Sequence, residues 1–208
     1  MRWYLRYGLS YRDVEELLAG RGIEVEHVTI YRWVQRFTPL FIEAARPCRH
    51  VVGDRWFVDA ICVKVAGRWV YLYRAIDQIG QVIDVFAAEK RDLPATREFF
   101  TGALKQGQRP IEVTTDRAPA YLRMLDELLP AALHVVEQYT SNPVKTDHGR
   151  LKARLCSMRG LKRLRSAGLI SARRALIQNV RRGHYELATD VESQHRLVTA
   201  FTELAVAL

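Results

Sequence analysis

The sequence has little cysteine, and what it has is scattered. Cys48, Cys62 and Cys156 are odd in number and far apart, with no Cys-x-x-Cys pair, which argues against a disulfide framework and against a zinc knuckle. Long apolar runs are lacking as well: none approaches the roughly 20 residues that span a bilayer. The opening Met1-Arg2-Trp3-Tyr4-Leu5-Arg6-Tyr7 has neither the apolar stretch nor the small-residue cleavage site of a signal peptide. The expectation is a cytoplasmic protein with no membrane partner. Internal repeats and low-complexity tracts are missing too. The last absence is local: residues 148–185 contain no acid at all, against eleven Lys or Arg. The whole chain carries a formal net charge of +9, so everything outside that window is slightly acidic. A block of one sign suits a polyanion such as nucleic acid. The plainer reading is a solvated helix face, although such faces usually mix signs.

What remains is an ordinary globular composition, 49 % apolar and 26 % charged over 208 residues. That length buries one good core and leaves room for a small satellite domain. Residues 1–37 carry helical patterns. Ser10 and Asp13 have the spacing of a capping-box-like helix start. Val14, Leu17 and Leu18 follow at i, i+3 and i+4, an expected buried stripe. Gly20 and Gly22 then break the helix. A second helix over about 27–37 sets Ile30, Trp33, Val34 and Phe37 on its apolar side. Thr29, Arg32 and Arg36 share another face. Two short helices across a glycine turn, the second showing Arg and Thr outward, match a helix-turn-helix; a generic helical hairpin is the competing reading. Six Arg against five acids in this segment do not argue for DNA by charge.

Pro39, Pro47 and the lack of a period mark 38–50 as a linker. Beyond it the texture changes to β-branched and aromatic runs over 55–65, 68–76 and 81–88, joined by tight turns, hence three antiparallel neighbours. A helix is expected over 94–105, a short strand over 111–115, a helix over 119–129 and a strand over 133–137. Further helices are expected over 144–157, 166–182 and 193–207. Three antiparallel strands followed by alternating helices and strands give an α/β fold, a mixed five-stranded sheet flanked by helices. That is the order of a ribonuclease-H-like core. The division is then 1–37 helix-turn-helix, 38–50 linker, 51–165 core, and 166–208 C-terminal helices, basic at the start.

Asp59 sits in Phe57-Val58-Asp59-Ala60-Ile61, a carboxylate in an apolar strand, expensive unless compensated. Asp116 ends the fourth strand. In this topology the first and fourth strands are adjacent, so the two acids can face each other. Close carboxylates repel, and a divalent cation commonly resolves that. A salt-bridge partner for Asp59 is the alternative. A cation held by such a pair activates a water or a 3′ hydroxyl in phosphoryl transfer.

Several motifs extend this pattern: Ser10-Tyr11-Arg12-Asp13-Val14-Glu15, Thr29-Ile30-Tyr31-Arg32-Trp33-Val34, Gly67-Arg68-Trp69 and Tyr73-Arg74-Ala75-Ile76-Asp77. Thr115-Asp116-Arg117-Ala118-Pro119 and Asp147-His148-Gly149-Arg150-Leu151-Lys152 complete the set. Over nearly its whole length the chain resembles the DDE transposases of bacterial insertion sequences, the group conventionally numbered six. The resemblance implies an integrase-type catalytic core and binding to double-stranded DNA, both terminal inverted repeats and target. It also implies Mg²⁺- or Mn²⁺-dependent cleavage and strand transfer, and a homo-oligomer on DNA. Asp59 and Asp116 match the family's first two catalytic, metal-binding acids. Thr29, Arg32 and Arg36 fall on the DNA-reading helix, and Arg150, Lys152 and Arg154 in the basic block.

The third acid is missing. Its position, two residues before Asp147-His148, is held by Lys145. Asp147 is turned by about 200° on a helix, and Glu137 ends the preceding strand. The first motif also departs from the family, with Ala60-Ile61-Cys62 where Glu-Thr-Tyr is common. A ligand set of one carboxylate fewer and one ammonium more implies weak metal binding and impaired catalysis. The alternatives are a non-enzymatic DNA-binding relic that occupies repeats or inhibits active relatives, and a helix-turn-helix regulator with a ligand-sensing domain.

Overall fold

The computed structural model describes residues 2–136, 149, 151, 161 and 163–207. In chain order the elements are α1 (Arg2–Arg6), α2 (Tyr11–Ala19), α3 (His27–Ala45), a 3-10 turn (Arg46–Cys48), β1 (Arg55–Val65), β2 (Arg68–Asp77), β3 (Val82–Ala88), α4 (Leu93–Leu104), β4 (Glu112–Thr115), α5 (Pro119–Leu128), β5 (Leu133–Val136), α6 (Leu164–Arg182) and α7 (Ser193–Val206). They divide into two compact units, Met1–His50 with Leu176–Leu208, and Val51–Ala175. Of the helix expected over 144–157, only Gly149 and Leu151 are described, and both are helical. Among the described residues no helix is long and apolar enough to cross a membrane.

In the first unit, α2 begins as its sequence dictates. The Ser10 hydroxyl accepts the Asp13 N–H at 3.2 Å, and the Asp13 carboxylate accepts the Ser10 N–H at 2.6 Å. The helix ends at Gly20, and Gly22 turns the chain with φ 73°. The expected stripe on α2 is narrower than its spacing implied: Val14 is buried, but Leu17 is 43 % exposed. On α3, Ile30, Val34, Thr38, Phe41 and Ala45 are buried. At 100° per residue they centre on one ridge, and Trp33 lies about 100° away from it. This is why Trp33 is 42 % exposed rather than buried.

The same ridge corrects the linker expected over 38–50. The apolar period continues through Pro39, so α3 runs on to Ala45. An internal proline costs about 3 kcal/mol in a helix. Burial of Thr38, Phe41 and Ala45 offsets it, with the Phe41 ring 5.1 Å from that of Phe201 on α7. Past the 3-10 turn the backbone is paired rather than loose. His50 N–H donates to the His184 carbonyl at 3.1 Å, and Glu186 N–H to that of Cys48 at 2.6 Å.

The second unit is a five-stranded sheet in the order β3-β2-β1-β4-β5, the arrangement expected from the element order. β1 and β2 pair antiparallel from Trp56 with Asp77 to Val65 with Arg68. Their two-residue turn, Ala66-Gly67, has φ of 49° and 81°, as a type I′ hairpin requires. β4 joins β1 in parallel, and β5 joins β4 in parallel. β1 is covered on both faces, with side chains dividing by alternation. Trp56 and Val58 pack with Phe99, Phe100, Tyr121, Met124 and Leu125 of α4 and α5. Ile61, Val63 and Val65 join Leu151, Leu161, Ala167 and Ile170 on the other side.

One carboxylate closes the β2–β3 turn. Asp77 is fully buried and accepts the N–H groups of Gly53 at 3.0 Å, Ile79 at 3.1 Å and Gln81 at 2.8 Å. It therefore ties the approach to β1 to the end of β2. We predict that Asp77→Ala lowers stability by roughly 2–4 kcal/mol, since three donors lose a charged acceptor at once. Asp77→Asn should lose less. Urea unfolding checks this, and a loss under about 1 kcal/mol for Asp77→Ala contradicts it.

Candidate functional site

Asp59 lies midway along β1, on the sheet face of Phe57 and Ile61 and opposite to that of Trp56 and Val58. Its partner across the ladder is Arg74 of β2, 1 % exposed and flanked on the same face by buried Leu72 and Ile76. Directly opposed residues on one face sit about 5 Å apart at Cβ, where opposite charges are favourable. The Asp59 carboxylate also accepts the Ala60 N–H at 2.8 Å.

Asp116 follows the last residue of β4. The β1–β4 ladder ends with Phe57 paired to Thr114; two residues further along each strand are Asp59 and Asp116, so the register brings Asp116, just past the end of β4, level with Asp59 in the middle of β1. Both oxygens of Asp116 are engaged. One accepts the Ala118 N–H at 3.1 Å, in the turn that leads into α5. The other accepts a hydrogen bond from the Arg91 guanidinium.

Arg91 had no signal in the sequence: it stands in the connection between β3 and α4, outside any periodic segment. Its guanidinium lies 5.3 Å from the centre of the Tyr121 ring, a cation–π distance. Tyr121 belongs to the cluster on the α4–α5 face. Burial works against charge on Arg91, but the bond to Asp116 and the Tyr121 neighbourhood outweigh it and hold its proton more tightly than usual. Burial pushes the Tyr121 phenol well up. Arg74 had a faint signal, a cation interrupting an apolar strand at the register of Asp59.

Hard carboxylate oxygens on adjacent strands are the donor type that Mg²⁺ or Mn²⁺ takes. As folded, however, the described residues do not fit such an ion. Both Asp116 oxygens are already taken, by the Ala118 N–H and the Arg91 guanidinium, and no cluster of three or more His, Cys, Asp or Glu side chains capable of holding a metal occurs among the described residues. Lys145, Asp147 and Glu137 lie outside the described residues, as do Arg150, Lys152 and Arg154. Of the basic block, Arg163 and Arg165 are described and exposed, whereas Arg173 is 4 % exposed. On α3, Arg32 and Arg36 are exposed and Thr29 is half-buried.

Comparison with known proteins places this geometry. The DDE domain family matches residues 53–184. The transposase for insertion sequence element IS257 in transposon Tn4003 of Staphylococcus aureus is 36 % identical over 157 residues, 73 % of this chain and 70 % of that protein. The transposase for insertion sequence-like element IS431mec of S. aureus strain Mu50 is 35 % identical over the same shares. Among solved structures, a simian T-cell lymphotropic virus intasome bound to PP2A regulatory subunit B56 gamma superposes with a TM-score of 0.50 at 18 % identity, over 72 % of this chain and 56 % of that one. The HTLV-2 integrase catalytic core domain in complex with magnesium gives 0.48 at 20 % identity, over 62 % and 88 %. The strand order β3-β2-β1-β4-β5 and the superposition on the intasome make the fold ribonuclease-H-like.

A histidine next to the site generates a pH dependence. The Thr115 hydroxyl donates to the Asp116 carbonyl at 2.8 Å, so His134 Nε2 donates to Thr115 Oγ1, also at 2.8 Å. Burial lowers the His134 pKa, only partly opposed by Asp126. Below about pH 6.5 the unfolded chain then takes a proton that the folded chain refuses. This contribution to stability is complete above that pH and is lost as the pH falls. Between pH 7 and pH 5 the wild type should lose more stability than His134→Gln, read as urea midpoints. Parallel pH profiles for the two proteins count against it.

Proposed function

We propose, because this chain belongs to the DDE transposases of insertion sequences, that it acts on DNA in transposition: it binds the terminal inverted repeats of its element and descends from an enzyme of Mg²⁺-dependent cleavage and strand transfer. On its motifs we place it in the group numbered six. Asp59 and Asp116 are its two remaining catalytic acids, and Lys145 in place of the third leaves catalysis impaired. The observation that supports this reading is that the two aspartates, within the matched segment, stand in register on neighbouring strands, each two residues past the last β1–β4 pair.

The parts divide the work as charge and exposure suggest. Residues 1–37 read sequence through Thr29, Arg32 and Arg36 on α3. The basic residues of 148–182, among them Arg150, Lys152, Arg154, Arg163 and Arg165, hold the phosphate backbone, and 51–165 carry the core. The partners are double-stranded DNA and further copies of the chain, the location is the cytoplasm, and any divalent ion is held weakly. The bond between Arg91 and Asp116 favours one alternative in particular, a non-enzymatic DNA-binding relic that occupies repeats or poisons active relatives in mixed oligomers.

A strand-transfer assay with the element's ends and Mg²⁺ tests the catalytic reading. The unmodified protein should give little product, and Lys145→Glu should give more. Robust transfer by the unmodified protein overturns the claim of impairment.

Binding provides the second test. Affinity should fall with salt at a log–log slope of about −0.9 per phosphate contact; a flat response reduces the basic block to a solvated face. Arg32→Ala should cost about 1–3 kcal/mol of preference for the cognate repeat over random DNA, and an equal loss on both DNAs puts Arg32 on phosphate instead.

A further inference from the structure

We propose that Arg91 is a positioning residue that holds the Asp116 carboxylate, so that a divalent ion must displace the Arg91 guanidinium before it can bind. The inference rests on the reading of Asp59 and Asp116 as the site's acids, and adds to it a built-in competitor for one of them.

Three restraints make this ion pair a constructed feature rather than a chance surface contact. The residue after Arg91 is pinned: Asp92 caps α4, its side chain accepting the Ala95 N–H at 3.1 Å and its carbonyl accepting the Thr96 hydroxyl at 2.8 Å. The guanidinium rests over Tyr121, itself 1 % exposed and set edge-to-face against Tyr73 and Phe100. The carboxylate is fixed from its own side by the Ala118 N–H. Arg91 is only 25 % exposed as a side chain, against 41 % for Asp116, so the cation is the more deeply anchored partner. A guanidinium does not give up its charge in proteins and so cannot leave by deprotonation.

Geometry makes the competition direct. A divalent ion shared by both aspartates needs a free oxygen on each, on the same side. Neither Asp116 oxygen is free: one accepts from the Arg91 guanidinium, which lies over Tyr121, and the other from the Ala118 N–H. To bind an ion between them, Asp116 must give up the Arg91 bond, leaving a half-buried guanidinium against an aromatic ring without its carboxylate. That penalty lowers ion affinity independently of whatever Lys145 does.

The test counts bound Mn²⁺ by electron paramagnetic resonance on the wild type, Arg91→Gln, Arg91→Lys, Asp116→Asn, and Arg91→Gln combined with Asp116→Asn. Arg91→Gln should bind Mn²⁺ at least tenfold more tightly than the wild type, Arg91→Lys should fall between them, and adding Asp116→Asn should abolish the gain. Equal or weaker binding by Arg91→Gln, while Asp116→Asn still reduces binding, overturns the competition and leaves the acid assignment standing. Binding unaffected by Asp116→Asn in every background overturns the acid assignment itself. A double-mutant cycle on metal-free stability stands beside it. Losses for Arg91→Gln and Asp116→Asn that do not add support the pair, and strictly additive losses overturn it even if no protein binds Mn²⁺.

Discussion

A carboxylate placed in a sheet covered on both faces is costly unless N–H donors or a cation compensate it, and the acids of the second unit are set against such partners. β1 lies between β2 and β4, its neighbours are apolar above and below, and Asp59 interrupts it at the middle. Directly across the ladder stands Arg74, equally out of place among Leu72 and Ile76. Neither charge belongs in such a strand alone; at opposed positions on one face each lowers the cost of the other. The same logic recurs at the strand ends, where Asp116 is bonded by Arg91.

Arg91 can be held there because of an aromatic group that has its own reason to exist. Tyr73, Phe99, Phe100 and Tyr121 join β2, α4 and α5 through ring contacts with centroids 5.3–6.4 Å apart, within the range where stacked and edge-to-face pairs are favourable. This cluster fixes where α5 begins, and so where the turn after β4 presents Asp116. Packing and charge are therefore not separate features. The core that stabilises the sheet is also the surface on which the cation rests.

The parts of this arrangement that repeat were legible in the sequence. Period-two runs with glycine turns between them announced β1, β2 and β3, and alternation of helix and strand announced the parallel strands and the adjacency of β1 and β4. The capping box of α2 was readable because Ser10 and Asp13 act within four residues of each other. What failed were judgements about where a helix stops and which face it buries. Pro39 looked like a terminator because a local rule was applied where a buried ridge of five residues overrode it. Leu17 and Trp33 looked buried because spacing gives a face but not its width. Arg91 was invisible for a different reason: its partners, Asp116 and Tyr121, lie 25 and 30 positions away, and nothing local marks a loop arginine as the counter-charge of a distant acid.

Charge balance links this site to DNA. Two bare carboxylates repel the phosphates that a DNA-handling surface must approach, and in a two-aspartate site a divalent ion ordinarily removes that repulsion. Among the described residues, Arg91, bonded to one aspartate, and Arg74, facing the other across the ladder, offset the two negative charges. Lys145 adds a further positive charge in the sequence where the resemblance places a negative one. On the proposed function such a neighbourhood has little pull on a divalent cation, because that pull grows with the net negative charge and number of ligands. It has also lost the repulsion that an ion-free acid triad exerts on a phosphate backbone. On the proposed function, the charges that oppose a metal are the same ones that favour a phosphate backbone, so weak metal binding and retained DNA contact follow from one cause.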